Sequence, residues 1–458
     1  MRLLPTGGSR GCAVVCLAVV GLLLVACTGG SDSNGRRPAP SPGGPDDTQP
    51  EPVAGGSLVF GVLGEPPTLD PYARRATDLT YALVRPLYPS LFRFTPDGTP
   101  APYLAESIEP TERGVRVHLA ELAWSDGSAI SARDVVASIR RARPPSGFAS
   151  VRRARAVSAR TVALSGRVDD WERALATSAF VLPRGRAGRV GDRFGGPFVL
   201  AGRRAGLQVV YEANPLWAGT GPYLDRVTVQ FVASLGFLLE LLEQGGLDAA
   251  ALPSSVNLDE RLEARGIEFA EALGWESVYL DFRASGLDVD DRKAFVSAID
   301  RGVMAEGIVR DDGRIADTLH PGPGPEGAAG RFRMGGGGPP PAGPVLLSGP
   351  GGDELIALIQ RIVQRQLDQS GGAVELASAE PGAVYAGGRG DPGGIKVLRA
   401  AGIPGADDPR RAARSLESFP LFHVETVVAF GDHVEGLEVN PSIEGPLWNA
   451  EIWWIGAP

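Results

Sequence analysis

The segment 124–142 has the most sharply determined hydrophobic and polar pattern in the chain. Ser131 is followed three residues later by Asp134, the spacing of a capping box, in which the two residues satisfy each other's backbone N–H groups. Val135 and Ile139 then return at the helical period, and two consecutive prolines at 144–145 cannot continue a helix. The pattern therefore predicts a helix that begins at Ser131 and ends before the prolines.

Alternation of apolar and polar residues predicts strands elsewhere. Val115 and Val117 alternate with polar neighbours just before a turn that carries Trp124. We predict further strands at 57–62, 92–94, 157–164, 207–211, 229–232 and 247–250, and further helices at 81–91, 171–180 and 235–242. Because strands and helices alternate over roughly 400 residues, we expect an α/β fold in which helices cover mixed sheets.

The segment 275–283 is a predicted strand with apolar residues on one face and polar or aromatic residues on the other. Val278 and Leu280 lie on the first face, and Tyr279 and Asp281 lie on the second. We predict that this strand is a hinge between two parts of the fold.

The N-terminus has the composition of a targeting segment. Arg2 and Arg10 flank the start of an apolar run at 13–25, which is short for a bilayer span and typical of a secretory signal peptide. The run ends in Leu-Val-Ala-Cys, and Cys27 is the only cysteine after the predicted leader 1–26. We therefore expect cleavage before Cys27 and lipidation of its thiol, the alternative being a conventional signal peptide with an incidental cysteine.

Two segments have little to bury. Residues 27–54 are rich in Gly, Ser, Pro and Asp, which predicts a disordered tether that holds the folded body roughly 30 Å from a membrane. A second Gly- and Pro-rich break at 321–344 cannot be a helix or a central strand.

The charge of the chain argues against a nucleic-acid partner. The 458 residues include 54 acidic and 45 basic residues, for a formal net charge of −9, whereas binding of nucleic-acid phosphates needs a concentrated basic face. Hydrophobic residues make up 43% of the chain, which is ample for the cores of two or three domains.

Several ordered motifs point to one family. Residues 124–142 read WSDGSAISARDVVASIRRA, residues 65–71 read EPPTLDP, and residues 212–227 contain EANPLW and PYLDRV. Related segments occur at 102–107, 195–198, 292–301 and 419–454. Together they resemble the family 5 extracellular solute-binding proteins, the oligopeptide-, dipeptide- and nickel-binding receptors of ABC importers.

The resemblance implies an α/β, two-lobed fold of the type II periplasmic-binding-protein kind, with an extra subdomain and a contracted third domain. We expect a discontinuous first lobe from 55–97, 190–272 and 425–458, a subdomain from 98–189, and a second lobe from 273–424. Ligand would lie between the lobes, and an oligopeptide would be held there as an extended strand.

The residues that we expect to contact the ligand are Arg75, Thr77, Trp275, Tyr279, Arg283, Tyr385 and Asp391. Asp391 is a candidate for the amine of a peptide, with a turn-forming Asp before Pro392 as the alternative. Arg283 would grip a carboxylate in a bidentate pair if it faces the cleft, and is otherwise a surface arginine. Trp275 and Tyr279 either stack on the ligand or belong to the core.

Other chemistries lack a supporting pattern. The G-x-S-x-G match at 7–11 falls in the predicted leader, and the G-x-G-x-x-G matches at 322–327 and 388–393 contain prolines. The four histidines do not fall at metal-ligand spacing. We expect no catalytic residue, cofactor or bound metal, although a metal complex stays open as a minor ligand class because some relatives bind nickel.

The sequence thus predicts a monomeric, lipid-anchored solute-binding protein on the extracytoplasmic face of the cell membrane. It would capture a peptide or similar small solute and deliver it to an ABC permease, and it is not expected to be an enzyme. The alternative from a different class is a lipoprotein that keeps the scaffold as a sensor or partner-binding module and takes no part in transport.

Overall fold

The structure is a computed structural model. It describes residues 51–144, 146–184, 192–309, 315–316, 338–341, 343–380, 384–385, 390–400 and 409–456. The predicted leader, Cys27 and most of the predicted tether and of the break at 321–344 lie outside these residues. The residues that the structure describes all belong to one compact unit.

The helices and strands follow one another along the whole described chain. The helices are α1 Asp78–Val84, α2 Ala132–Arg141, α3 Trp171–Ala176, α4 Leu235–Glu243, α5 Leu258–Glu263, α6 Val289–Ser297, α7 Arg301–Val309, α8 Glu354–Gln369 and α9 Pro409–Ser415. The strands are β1 Ser57–Leu63, β2 Phe92–Phe94, β3 Pro100–Pro102, β4 Ala105–Thr111, β5 Gly114–Leu119, β6 Val151–Ala156, β7 Thr161–Gly166, β8 Phe198–Arg204, β9 Gln208–Ala213, β10 Arg226–Val232, β11 Ala249–Leu252, β12 Glu268–Asp281, β13 Pro344–Pro350, β14 Ala373–Ala379, β15 Ile395–Ala400, β16 Ser418–Phe430, β17 Val434–Glu435 and β18 Trp454–Ile455.

A ten-stranded mixed sheet runs through the molecule in the order β14-β13-β15-β12-β16-β11-β1-β10-β9-β8. Strand β1 pairs in parallel with β10 and β11, and β13 pairs in parallel with β14 and β15. The two longest strands, β12 and β16, are antiparallel neighbours at the middle of this order. The α/β class predicted from the sequence is confirmed.

A second sheet of four strands, in the order β4-β5-β7-β6, lies beside helix α2. The start of α2 is as predicted, because the Asp134 carboxylate accepts hydrogen bonds from the Ser131 N–H at 2.8 Å and from its hydroxyl at 2.6 Å. Ile130 and Val135, on either side of this cap, are both buried. The helix ends at Arg141, ahead of Pro144.

The buried apolar residues form three clusters, and their membership changes along the two long strands. One cluster joins the four-stranded sheet to the part of the large sheet around β1, and includes Phe60 stacked on Trp453 with ring centroids 5.4 Å apart. A smaller one lies around α4 and α5. The third holds β13, β15 and α8. The first two clusters make up one lobe and the third makes up the other.

Several predicted elements differ in extent from those of the structure. The helix expected at 81–91 ends at Val84, because Pro86 and Pro89 follow and proline cannot continue a helix. The strand expected at 157–164 begins only at Thr161, since 157–160 form the turn of a hairpin whose first strand, β6, the sequence analysis did not identify. The helix expected at 171–180 ends at Ala176.

Candidate ligand site between the two lobes

The lobes are joined where β12 and β16 cross from one core to the other. Trp275 belongs to the core of the first lobe, and Val278, three residues on, belongs to that of the second. The ladder between the strands is interrupted here, with pairing lost between Leu273 and Ser277. This agrees with the prediction that the segment beginning at 275 connects two parts of the fold.

Gly274 lies in this crossing, where β12 and β16 are close together. A Cβ at this position would lie 2.5 Å from the carbonyl oxygen of Val424 and 2.8 Å from the hydroxyl oxygen of Thr426. The two strands can therefore lie this close only because residue 274 has no side chain.

Trp275 closes the first core at the crossing and does not face open solvent. Its ring packs edge-on against Phe94 with centroids 4.7 Å apart, and the guanidinium of Arg173 lies over it at 4.8 Å. Its backbone N–H donates to the carbonyl oxygen of Pro441 at 2.7 Å. Of the two roles considered for Trp275, the structure shows packing in the core.

Glu276 is a charged residue at the crossing. Its side chain is 34% exposed, and one carboxylate oxygen lies 3.8 Å from Nε of Arg399. That arginine binds Asp353 more closely, at 3.0 Å, and donates to the carbonyl oxygen of Ser254 at 3.1 Å. Glu276 is therefore only loosely compensated by the cation beside it.

Burial raises the pKa of the Glu276 carboxyl, and the charge of Arg399 opposes this effect without cancelling it. The negative charges of Asp78 and Asp353 raise this pKa further. Since Asp78 opens helix α1 of the first lobe and Asp353 caps helix α8 of the second, acids from both lobes act on one carboxylate. These charges disfavour the ionised form of Glu276, which a bound cation would stabilise.

Two of the predicted contact residues precede helix α1. Thr77 is its N-cap and forms a reciprocal capping box with Thr80, so its hydroxyl serves the helix end. Arg75 is exposed in the preceding turn. The charge of Asp78, which follows Thr77 directly, acts on both Glu276 and Tyr279.

The two predicted tyrosines differ in exposure. Tyr279 is buried, and burial followed by the charge of Asp281 raises the pKa of its hydroxyl. Tyr385 remains 40% exposed, and its hydroxyl accepts a hydrogen bond from the Arg399 N–H at 3.4 Å. The side chains of Tyr385, Arg399 and Glu276 thus form one polar group.

Arg283 and Asp391 have partners within the protein. The Arg283 guanidinium binds the buried carboxylate of Asp281 through Nε at 3.0 Å and Nη2 at 2.6 Å. Asp391 binds the buried ammonium of Lys396 at 2.6 Å and accepts from the Gly393 N–H at 3.0 Å. Asp391 thus makes the turn contact that was its alternative role.

Polar contacts also join the lobes beside the crossing. Arg261 of α5 binds Glu354 at the start of α8 at 3.1 Å, and the Ser255 hydroxyl lies 3.2 Å from the same carboxylate oxygen. With the contact from Arg399 to Ser254, these bonds link the end of β11 to the second lobe.

The sequence analysis did not identify Glu276, Arg399, Asp353 or Asp78 as site residues. Their one local signal is an acid directly after Trp275 at the start of the predicted hinge strand. The group is otherwise assembled from positions up to 321 residues apart in the numbering, as Asp78 and Arg399 are, so no spacing in the sequence connects them.

The described residues contain neither a cluster of metal-ligating side chains nor a membrane-spanning helix. No group of three or more His, Cys, Asp or Glu side chains among them could hold a metal ion. Within the same part of the chain, no helix is long and apolar enough to cross a membrane.

A family model identifies the class of protein. Residues 99–333, just over half of the chain, match the model described as "Bacterial extracellular solute-binding proteins, family 5 Middle". The chain belongs to this family. Family 5 solute-binding proteins are extracytoplasmic, non-enzymatic carriers of ABC importers that bind peptides or similar solutes. The resemblance read from the sequence motifs is therefore confirmed.

Solved structures of similar proteins confirm the two-lobed fold. The oligopeptide-binding protein AppA of Bacillus subtilis, in complex with a nonapeptide, has a TM-score of 0.73 and 18% identity over 89% of this chain and all of its own. AgaA of A. tumefaciens R10, in complex with agropinic acid, has a TM-score of 0.71 and 18% identity over 88% of this chain and 99% of its own. NikZ of Campylobacter jejuni, in complex with Ni(L-His), has a TM-score of 0.71 and 14% identity over 87% of this chain and 99% of its own.

A comparison with the curated proteins finds no match. The three solved relatives carry a peptide, an organic acid and a metal complex, so this fold holds ligands of very different chemistry. Membership of the family therefore does not specify the ligand of this protein, which depends on its own site residues.

Proposed function

We propose that this protein is the receptor of an ABC importer, which captures a peptide or a similar small solute with a cationic group and delivers it to a permease. The observation that carries the proposal is the position of Glu276. It lies at the crossing between the lobes, keeps a third of its surface exposed, and stands 3.8 Å from an arginine that binds another acid more closely. A ligand ammonium would supply the missing counter-charge.

The predicted contact residues take different parts in this proposal. We assign Arg75, Thr77, Tyr279 and Tyr385 to the lining of the site around Glu276, and Trp275 to the wall behind it. Arg283 and Asp391 would contact ligand only by giving up their present partners. We therefore assign binding of the ligand's amine to Glu276, with the negative charge of Asp78 close to it.

The remaining parts of the proposal come from the sequence. We infer that the mature chain is anchored in the membrane through a lipid on Cys27 and works as a monomer on the extracytoplasmic face. The division into a discontinuous first lobe, a subdomain at 98–189 and a second lobe at 273–424 is proposed with it. Partition of the full-length chain into a detergent phase, and loss of that partition in Cys27→Ser, tests the anchor.

Ligand capture is tested by thermal shift of residues 36–458 with pools of short peptides. One set has free amino termini and a matched set is acetylated. We expect stabilisation by free peptides that is weaker with acetylated ones. Loss of a hydrogen bond to a charged group costs about 1.5–3 kcal/mol, so Glu276→Gln should weaken binding roughly 10- to 150-fold. Asp391→Asn serves as the matched control and should bind as the parent does.

Two results would count against this function. Equal stabilisation by free and acetylated peptides would remove the role assigned to Glu276. No stabilisation by any peptide or small-solute pool would favour the alternative, a lipoprotein that uses the scaffold as a sensor or partner-binding module. The observation that supports this alternative is that Arg283 and Asp391 are each paired within the protein, with Asp281 and Lys396 respectively.

A further inference from the structure

A groove lined by arginines lies on the four-stranded sheet, away from the crossing of β12 and β16. It has a volume of about 820 Å³. Helix α2 and strands β5, β6 and β7 contribute most of its lining. The arginines that line it are Arg116, Arg140, Arg152, Arg153 and Arg155. All five are exposed.

The basic charge of this face contrasts with the acidic balance of the whole chain. Between residues 133 and 155 there are seven arginines and a single acid, Asp134. Asp134 is buried and bound to Ser131 and Arg184, so its charge does not serve the groove. A protein with a net charge of −9 therefore carries a concentration of positive charge at this groove.

The register of the sheet places arginines on both sides of a strand with small side chains. Arg116 of β5 and Arg155 of β6 are both paired with Ala163 of β7, so these residues point to the same face of the sheet. Arg153 pairs with Ser165 on the same strand. The backbones of Arg116 and Arg155 are two strand spacings, about 10 Å, apart. The small side chains of β7 between them leave room for a ligand.

The groove arginines have no ion-pair partner among the residues that the structure describes. Arg141, the neighbour of Arg140, by contrast binds Asp70 at 2.8 Å. Glu109 pairs with Arg116 across the strands, and its carboxylate contacts His118 at 3.6 Å. The positive charge of the groove is therefore left for a partner outside the protein.

Protection of a sheet edge explains part of this arrangement. Strand β6 is an edge strand, and charged side chains on edge strands prevent pairing with other chains. That role does not account for Arg116, which lies on an inner strand, or for Arg140, which lies on helix α2. Edge protection therefore leaves the arginines of β5 and α2 unexplained.

We propose that this groove binds the phosphate headgroups of anionic phospholipids and so orients the anchored protein at the membrane surface. Guanidinium groups match phosphate oxygens in bidentate pairs, and a cluster of arginines close to an anionic membrane is attracted while the acidic remainder of the chain is repelled. The inference rests on the membrane location proposed above, and it is independent of what the cleft binds.

The test is binding of residues 36–458 to vesicles, measured by flotation at low salt. One set of vesicles contains about one third phosphatidylglycerol in phosphatidylcholine, and the other contains phosphatidylcholine alone. We expect binding to the first set only, and its loss as salt is raised to about 0.5 M, where the Debye length is only a few ångströms. Binding to neither set, or to both equally, overturns the proposal.

Matched triple variants locate the binding. Arg152, Arg153 and Arg155 are changed to Gln in one variant, and Arg204, Arg361 and Arg365, which are exposed and lie outside the groove, are changed in the other. The groove variant should bind the anionic vesicles about 100-fold more weakly, while the control variant, with the same change in net charge, should lose less than about threefold. Equal losses would show a non-specific charge effect and overturn the proposal.

Competition distinguishes the source of the anion. If glycerol 3-phosphate at millimolar concentration displaces the protein from vesicles and stabilises it thermally, the groove is a site for a free phosphate ester and the membrane proposal is wrong. If polyglutamate binds in a groove-dependent manner and vesicles do not, the partner is an acidic polypeptide. Peptide stabilisation of the groove variant should match that of the parent, so a failure here is distinct from a failure of solute capture.

Discussion

Replacing Gly274 by alanine should destabilise the protein, because the added methyl group has no room where the two lobes are joined. It would lie 2.5 Å from the carbonyl oxygen of Val424 and 2.8 Å from the hydroxyl of Thr426. A flexible side chain would rotate away from such a contact, but a carbonyl oxygen moves only with its strand. Strands β12 and β16 must therefore separate at the crossing, where their ladder is already interrupted.

The size of the effect follows from the cost of overpacking. Forcing one extra carbon into a closely packed place costs about 1–3 kcal/mol. The entropy of unfolding is about 2.1 cal/mol/K per residue, which for roughly 400 ordered residues makes this cost a decrease in Tm of about 1–4 °C.

Differential scanning calorimetry of residues 36–458 measures this difference, with Gly202→Ala as the matched control. Gly202 is also a strand glycine, in β8, and a Cβ there would meet no atom within 4 Å. The control should leave Tm unchanged or slightly higher, since alanine restricts the unfolded chain. If Gly274→Ala melts no lower than Gly202→Ala, the crossing is not the tightly packed joint described above.

Three further outcomes are expected. Glu444→Gln should lower the free energy of unfolding, measured by chemical denaturation, by about 3–5 kcal/mol, because it leaves Arg85, 2.7 Å away and 3% exposed, without its counter-charge. The double variant Arg85→Met with Glu444→Leu should recover most of this loss. No recovery would contradict the pairing. Asp391→Asn should cost about 2 kcal/mol of stability and leave peptide binding unchanged. Burial raises the pKa of Asp391, but hydrogen bonds from Lys396 and Gly393 lower it by more. The stability that these bonds contribute is therefore present above pH ~4 and is lost as pH falls through the lowered pKa. Amine affinity should fall as pH falls through the raised pKa of Glu276, because protonation removes the charge that a cation binds; calorimetric affinities that do not change with pH would refute the assignment.

Local elements were predictable from the sequence where a few neighbouring residues determine them. The helix after Ser131 is an example, because its cap, its apolar face and its terminating prolines all lie within 15 residues. Strand β6 was not predictable, because its Val-Arg-Arg-Ala-Arg-Ala sequence has weak alternation. It is a strand through its pairing with β7, which only the folded sheet supplies.

The ligand site was harder to predict than the fold. Trp275 and Tyr279 were placed correctly on a strand between the lobes, but the alternation of that strand does not reveal that both of its faces are covered, since residues 277–282 are all buried. Arg283 and Asp391 were plausible ligand contacts as isolated residues. Their partners Asp281 and Lys396 lie two and five residues away, and only the geometry shows that those pairs form.

The net charge similarly concealed a local property. The value of −9 argues against a nucleic-acid partner, yet it is an average over a chain in which five arginines line one groove. Four of these arginines are brought together by the pairing of β5, β6 and β7, which a count of charges along the sequence does not reveal.

The stacking of Phe60 on Trp453 sets the order in which this protein can be completed. Phe60 lies in the first strand and Trp453 lies 393 residues later, and strand β16 is needed to cover β11. A nascent chain leaves the ribosome with its N-terminus first, so its first lobe cannot be completed until residue 453 has been synthesised.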